Sequence, residues 1–391
     1  MKILSFIPVF LIGCACIACN NSNKSGSNHP SSSEVTSQTD SSRQHITNII
    51  DKVNQHWQKQ NPNSGNAFWH HAAYHTGNLA AYHVTQNETY KDYTEKWAEQ
   101  NLWKGARSDN KNEWKYSYGE TNEYVLFGDW QICFQVYMDL YNMDSIKNEN
   151  KIARAKEVMS YEVSTPQNDY WWWADGLYMV MPVMTKLYNI THEKIYLDKL
   201  YEYFSYTKKL LYDEEHALFY RDAKYVYPQH KTPNGIKDFW SRGNGWVFAA
   251  LAKVLEELPA NDPHKAEYLE VFRKMAQSLA SCQQTEGYWT RSLIDQSYVS
   301  GRETSGTAFF TYGLLWGINN HILDKTTYQP IADKAWNYLE TIALQPDGTI
   351  GYVQPIGERA DQHKNVGPTT TADFGVGAFL LAASEKIKNL Q

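Results

Sequence analysis

The sequence predicts an all-α fold, an (α/α)6 barrel built as a single domain, and three observations predict it. One phrase recurs five times: an apolar helix, a short polar turn, then an amphipathic helix charged along one face. Helix-like stretches at 46–60 and 374–390 flank these units and supply a sixth pair. The connections that follow the second helices are long and rich in Gly or aromatics, as in Glu286-Gly287-Tyr288-Trp289 and Asp347-Gly348-Thr349-Ile350-Gly351-Tyr352. Such connections favour repeats that close around a central site over an open solenoid.

Residues 1–19 stand outside that domain. Met1-Lys2 gives a positive start, and 3–18 is apolar but too short for a transmembrane helix, so it reads as a secretory leader. Leu11-Ile12-Gly13-Cys14 and Cys16-Ile17-Ala18-Cys19 both resemble a bacterial lipobox, whose cysteine is acylated. Cys19 leaves the more usual apolar length and precedes Asn20-Asn21-Ser22, which favours it over Cys14. Residues 20–42 are nearly all Ser, Asn, Thr, Gln and Lys, a composition that cannot offset chain entropy by burial and reads as a disordered tether. A lipid there would hold the domain at a membrane of the bacterial cell envelope without inserting it.

The domain proper is expected over 43–391. Its cysteines, Cys133 and Cys282, lie in apolar helical patterns and have no zinc or disulfide spacing. A net charge of −6 offers no basic patch, so nucleic acid is not an expected partner. Aromatic residues are abundant, 14 Trp, 28 Tyr and 14 Phe, which suits a carbohydrate cleft and also suits core filling.

The first unit runs from Leu79-Ala80-Ala81-Tyr82 through Gln86-Asn87-Glu88 to a helix ending near Trp103. Its counterparts occupy 136–163, 183–212, 251–282 and 314–344. A short strand pair is expected at 218–220 and 225–227.

Chemistry-bearing residues gather where the first helix of each unit begins. Gly128-Asp129-Trp130-Gln131 with Gln135 opens the second unit, and Tyr170-Trp171-Trp172-Trp173-Ala174-Asp175 the third. Phe239-Trp240-Ser241-Arg242-Gly243-Asn244-Gly245-Trp246 opens the fourth, Glu303-Thr304-Ser305-Gly306-Thr307 the fifth, and Thr369-Thr370-Thr371-Ala372-Asp373 the last. In a closed ring these starts share one end of the barrel. Trp172 and Trp173 would offer flat faces for a sugar, and their exclusion of water would raise the pKa of Asp175 toward the range useful for proton transfer. Asp129 would face Asp175 as a second carboxylate, the pairing that glycoside chemistry commonly uses. Arg242, between Trp240 and Trp246, would grip a substrate carboxylate with its forked guanidinium. Each residue also has a structural reading: Asp129, Asp175 and Asp373 as helix caps, Glu303 with Ser305 as capping, Arg242 as an ion-pair partner. Their recurrence at equivalent places favours a site.

No metal or cofactor is expected. His70, His71 and His75 form the one histidine cluster, but no HExxH pattern or carboxylate accompanies them in sequence. Nucleotide-binding and serine-hydrolase fingerprints are also missing.

The strings Trp172-Trp173-Ala174-Asp175-Gly176-Leu177-Tyr178-Met179, Phe239 to Trp246 and Glu303 to Thr307 resemble glycoside hydrolase family 105, the unsaturated rhamnogalacturonyl hydrolases, from about residue 51 onward. The resemblance implies an (α/α)6 barrel. It also implies removal of a 4,5-unsaturated uronic acid from the non-reducing end of lyase-generated oligosaccharides, by hydration of the C4=C5 bond. By motif, Asp175 corresponds to the general acid and base and Asp129 to a second carboxylate that orients ring hydroxyls. Trp240, Arg242 and Trp246 correspond to a binding string. Gln135, Arg221, Ser305 and Thr307 join Trp172 and Trp173 as expected substrate-binding residues. The chain departs from many relatives at Gly176, where they carry a second Asp, and at Arg221, where some carry His. Two alternatives stand beside this reading: a conventional glycosidase using the Asp pair, and a non-catalytic surface glycan-binding lipoprotein.

Overall fold

The computed structural model describes residues 32–106, 108–114, 124–363 and 365–390. The expected leader, with Cys14 and Cys19, lies outside the described residues. Twelve α-helices are present among those described: α1 (Ser32–Gln60), α2 (Trp69–Thr85), α3 (Glu88–Gln100), α4 (Cys133–Met143), α5 (Ala153–Ser164), α6 (Ala174–Thr191), α7 (Ile195–Leu211), α8 (Ser241–Glu257), α9 (Lys265–Cys282), α10 (Thr304–Asn319), α11 (Lys325–Tyr338) and α12 (Asp373–Lys388).

The even-numbered helices form the inner ring, each touching the next, and α12 returns to α2. Four of them, α6, α8, α10 and α12, are buried over nearly their whole length, as helices apolar on all sides must be. The outer helices bury one face only; α9, for instance, buries Tyr268, Val271, Phe272, Met275, Ala276, Leu279 and Cys282 at helical spacing. Polar turns start two of the outer helices with side-chain caps: Asn87 accepts from the Thr89 N–H before α3, and Asp324 from the Thr327 N–H before α11. The sixth pair joins the two ends of the chain, with α1 packed outside α12.

Two glycines make the closure of the ring possible. A Cβ on Gly77 of α2 would stand 2.1 Å from the Gly377 carbonyl oxygen, and one on Gly377 of α12 would stand 2.3 Å from that of Ala73. The first and last inner helices therefore meet backbone to backbone.

Two expectations change. Helix α1 begins at Ser32, inside the stretch that composition assigns to a tether; residues 32–42 contain no Gly or Pro to stop a helix from extending outward. The strand pair forms between β1 (Tyr212–Asp213) and β2 (Leu218–Phe219), antiparallel, with Tyr212 opposite Phe219. Ala223–Tyr225 is instead a short 3-10 turn, because the Asp222 side chain accepts the Lys224 N–H at 2.9 Å and starts a turn where a strand was expected.

One device repeats at the mouth of the barrel. The first N–H of an inner helix lacks a partner within its own helix, and here it finds one in the connection belonging to the next unit. Ala174 donates to the Arg221 carbonyl at 2.8 Å, Ser241 to that of Arg291 at 2.8 Å, and Thr304 to that of Tyr352 at 2.9 Å. Each connection is thereby pinned beside the start of the preceding inner helix.

Candidate active site

A cavity of about 390 Å³ opens at this end, lined by Asp129, Trp172, Trp173, Arg221 and Glu358 among others. Trp173 stacks on Phe127 with centroids 4.6 Å apart and planes 15° apart, and Trp172 leans on Trp173 at 5.0 Å. The Trp173 ring lies against Gly176, where a Cβ would come within 3.1 Å of it. A side chain at this position would need the Trp173 ring to give way by a few tenths of an ångström.

Asp175 occupies the first turn of α6 and is 7% exposed. Its Oδ2 accepts from Arg221 Nε at 3.2 Å. Burial raises its carboxyl above the ordinary range, while Arg221 and then Arg242 pull the other way. Asp129 lies in the 3-10 turn Gly128–Trp130 that precedes α4, partly open to the cavity. Burial, then the negative charge of Asp175, pushes its pKa up to about 8, against the opposing pull of Arg221. Two like charges in one enclosed site do not both ionise easily, so the pair holds at least one proton near neutral pH.

The pinned Arg221 carbonyl sets its guanidinium between several carboxylates. Nη1 donates to Asp222 at 2.6 Å and stands 3.7 Å from Glu358. Lys224, at the rim, lies 3.3 Å from Glu358 and 3.8 Å from Asp222.

The remaining expected residues take other places. Trp246 is 1% exposed and packs beneath the site between Tyr178 and Phe309. Gln135 is wholly buried, its Nε2 donating to the Tyr178 and Met179 carbonyls at 2.6 and 3.2 Å, and so ties α4 to α6. Ser305 Oγ donates to Glu303 at 2.6 Å, and Thr307 Oγ1 donates to the Glu303 carbonyl at 2.6 Å. Glu303 also caps α10 through the Ser305 and Gly306 N–H groups. Trp240 Nε1 donates to Gln354 at 2.9 Å. Arg242 is 1% exposed, and its terminal nitrogens donate to the Gln354 and Pro355 carbonyls at 2.5 and 2.8 Å. The fork expected to grip a substrate carboxylate grips main chain. The structure thus brings Asp129, Trp172, Trp173, Asp175 and Arg221 together, and sets Gln135, Trp240, Arg242, Trp246, Ser305 and Thr307 around them as buried framework.

Sequence reading missed Asp222, Lys224 and Glu358, which come from connections without periodicity; the adjacent charges of Arg221-Asp222 were the one visible signal. It also missed the carboxylate partner of the histidines. His70 Nδ1 and His71 Nδ1 both reach Asp373 Oδ2, at 2.7 and 2.8 Å, linking the starts of α2 and α12. These three ligand atoms lie close enough to hold a metal ion, but two ring N–H donors satisfy the carboxylate without one. His75 stacks on Trp97 at 4.0 Å, and burial lowers its pKa to about 3.

The family model for Glycosyl Hydrolase Family 88 matches residues 41–390. The unsaturated 3S-rhamnoglycuronyl hydrolase of Formosa agariphila is 32% identical over 334 residues, which are 82% of this chain and 84% of that protein. A solved glycosyl hydrolase family 88 protein from Bacteroides vulgatus is 56% identical, covering 89% of this chain and 99% of its own, with a TM-score of 0.85. Another solved protein, named a polysaccharide lyase, is 61% identical, covering 88% and 97%, with a TM-score of 0.84. A possible family 105 member from Salmonella enterica shares the fold at 19% identity, covering 89% and 94%, with a TM-score of 0.70.

Proposed function

Because this chain belongs to Glycosyl Hydrolase Family 88 and is thereby a glycoside hydrolase, we propose that its cavity takes the 4,5-unsaturated uronic acid at the non-reducing end of lyase-generated oligosaccharides and releases it by hydrating the C4=C5 bond. One observation carries this reading: Asp129 lines a tryptophan-walled cavity whose Arg221 reaches behind it to the buried Asp175 at 3.2 Å, and burial raises the pKa of both carboxyls. Asp175 gives its proton to C4, and the cation that develops at C5 is stabilised by the ring oxygen. The Asp175 carboxylate then takes a proton from the water that adds to C5, which restores the acid. The resulting hemiketal opens and releases the leaving sugar. Asp129, holding its proton, donates to a ring hydroxyl without repelling Asp175.

Ultraviolet absorbance of the C4=C5 chromophore tests this directly. Protein mixed with unsaturated oligosaccharides should erase the absorbance. The similarity to a protein named a lyase supplies a second reading with the opposite sign, since elimination on an intact polymer would create the chromophore. An unchanged signal with both substrates would return the conventional glycosidase, to be sought on saturated glycosides. The substrate panel should contain pectin rhamnogalacturonan fragments and fragments with 3-sulfated rhamnose beside the uronide. We place the sulfated class first, because it is the one named for the Formosa agariphila relative.

The protonated Asp129 has two measurable consequences. Activity should fall as pH rises through about 8, and Asp129→Asn should flatten that limb. A carboxyl whose pKa is about 8 when folded and roughly 4 when unfolded costs stability increasingly between those values. Asp129→Asn should therefore melt higher than the parent at pH 8 and match it near pH 4.

The lipid anchor rests on the sequence of residues 1–42, with Cys19 as the acylated residue and the cell envelope as the place of action. Partitioning of the expressed protein into a detergent phase, lost in Cys19→Ser, is the expected result.

A further inference from the structure

We propose that Arg221 is the receptor for the substrate's own carboxylate, and that it turns from Asp175 to that carboxylate when substrate binds. This inference rests on the hydration reading. The carboxylate of an unsaturated uronide hangs from C5, the neighbour of the C4 that Asp175 protonates. Whatever binds it must therefore lie beside Asp175, on the side of C5.

Arg221 meets that requirement. Its backbone is fixed there by the bond from Ala174, the residue before Asp175, and its Nε already lies 3.2 Å from the Asp175 carboxylate. Its side chain is 17% exposed and lines the cavity. The other cation lining the cavity, Lys224, is 63% exposed at the rim, and Arg242 spends both terminal nitrogens on backbone carbonyls.

The guanidinium is also held in a way that permits the exchange. Nη1 is anchored at 2.6 Å by Asp222, which is 2% exposed, and Asp222 is itself fixed by accepting the Lys224 N–H. With that anchor kept, rotation of the Nε edge from one carboxylate to another costs one charge-assisted hydrogen bond and gains another. Glu358, 3.7 Å from Nη1, supplies a neighbouring negative charge that keeps the guanidinium in place in the empty cavity. A uronate would thus free the acid that acts on it, whereas an uncharged sugar would leave Asp175 clasped. Recognition of the substrate's charge and supply of the proton become one event.

The test compares an unsaturated disaccharide with its C6 methyl ester in the chromophore assay. For the parent enzyme, esterification should lower kcat/KM by about 100-fold, the scale of a lost charge-assisted bond at a half-buried site. Arg221→Met should lose about as much on the free acid and should no longer distinguish acid from ester beyond roughly 3-fold. Arg221→Lys, which keeps a charge without the fork, should recover part of the preference and covers the case in which the Met variant does not fold. A preference for the acid that survives intact in both variants overturns the proposal while leaving hydration standing. A parent enzyme that consumes neither chromophore overturns both.

Discussion

Asp175→Asn removes about 10³-fold or more of the rate of chromophore loss, because a single carboxyl serves as acid at C4 and as base toward water. The variant should melt close to the parent temperature and still bind product, since asparagine fills the same volume. Removing a buried carboxyl also removes the cost of its burial. The split matters more than the loss. A glycan-binding protein would show no change in its only activity, and a residue that merely shapes the cavity would alter KM together with kcat. A residual rate above one-tenth of the parent would assign the proton to another group. Asp129 would then be the first to examine, as the carboxyl with a raised pKa that lines the cavity.

The second large effect lies far from the chemistry. Gly377→Ala should destabilise the protein by about 3 kcal/mol or more, the upper range for overpacking, and lower the melting temperature by roughly 4 °C or more. The new methyl would meet the Ala73 carbonyl oxygen and the Tyr74 Cα, which are backbone atoms of α2 and cannot swing aside as a side chain can. Gly367→Ala is the matched control, because a Cβ there meets nothing within 4 Å, and it should change stability by no more than about 0.5 kcal/mol. Equal effects from the two substitutions would show that the α2–α12 contact is less close than described.

Much of the architecture was legible in the sequence because inner and outer helices solve different burial problems. An inner helix such as 304–319 must be apolar on every side, an outer one such as 265–282 on one face, and their alternation reads as pairs. The core of the candidate site was legible for a related reason: Asp129, Trp172, Trp173 and Asp175 sit at the starts of inner helices, where the pattern changes abruptly. What stayed hidden came from the connections. The bonds from Arg242 to Gln354 and Pro355 join positions more than a hundred residues apart, and no local spacing announces that a connection folds back over a guanidinium. The partnership of His70 and His71 with Asp373 spans three hundred residues and was missed for the same reason. Residues 32–42 show the reverse error, in which polar composition concealed a helix extension.

The pairing of α1 with α12, and of α12 with α2, has a consequence for how the molecule comes into being. A chain made from its N-terminus exposes α1 and α2 first and α12 last. Until the final helix arrives, the first two present apolar flanks to water and the half-made ring has an open side. The contacts that finish it span nearly the whole sequence, so their loop-closure entropy is met only after the other five pairs exist. Such a partly assembled arc would expose the apolar surface through which unfinished chains associate with one another.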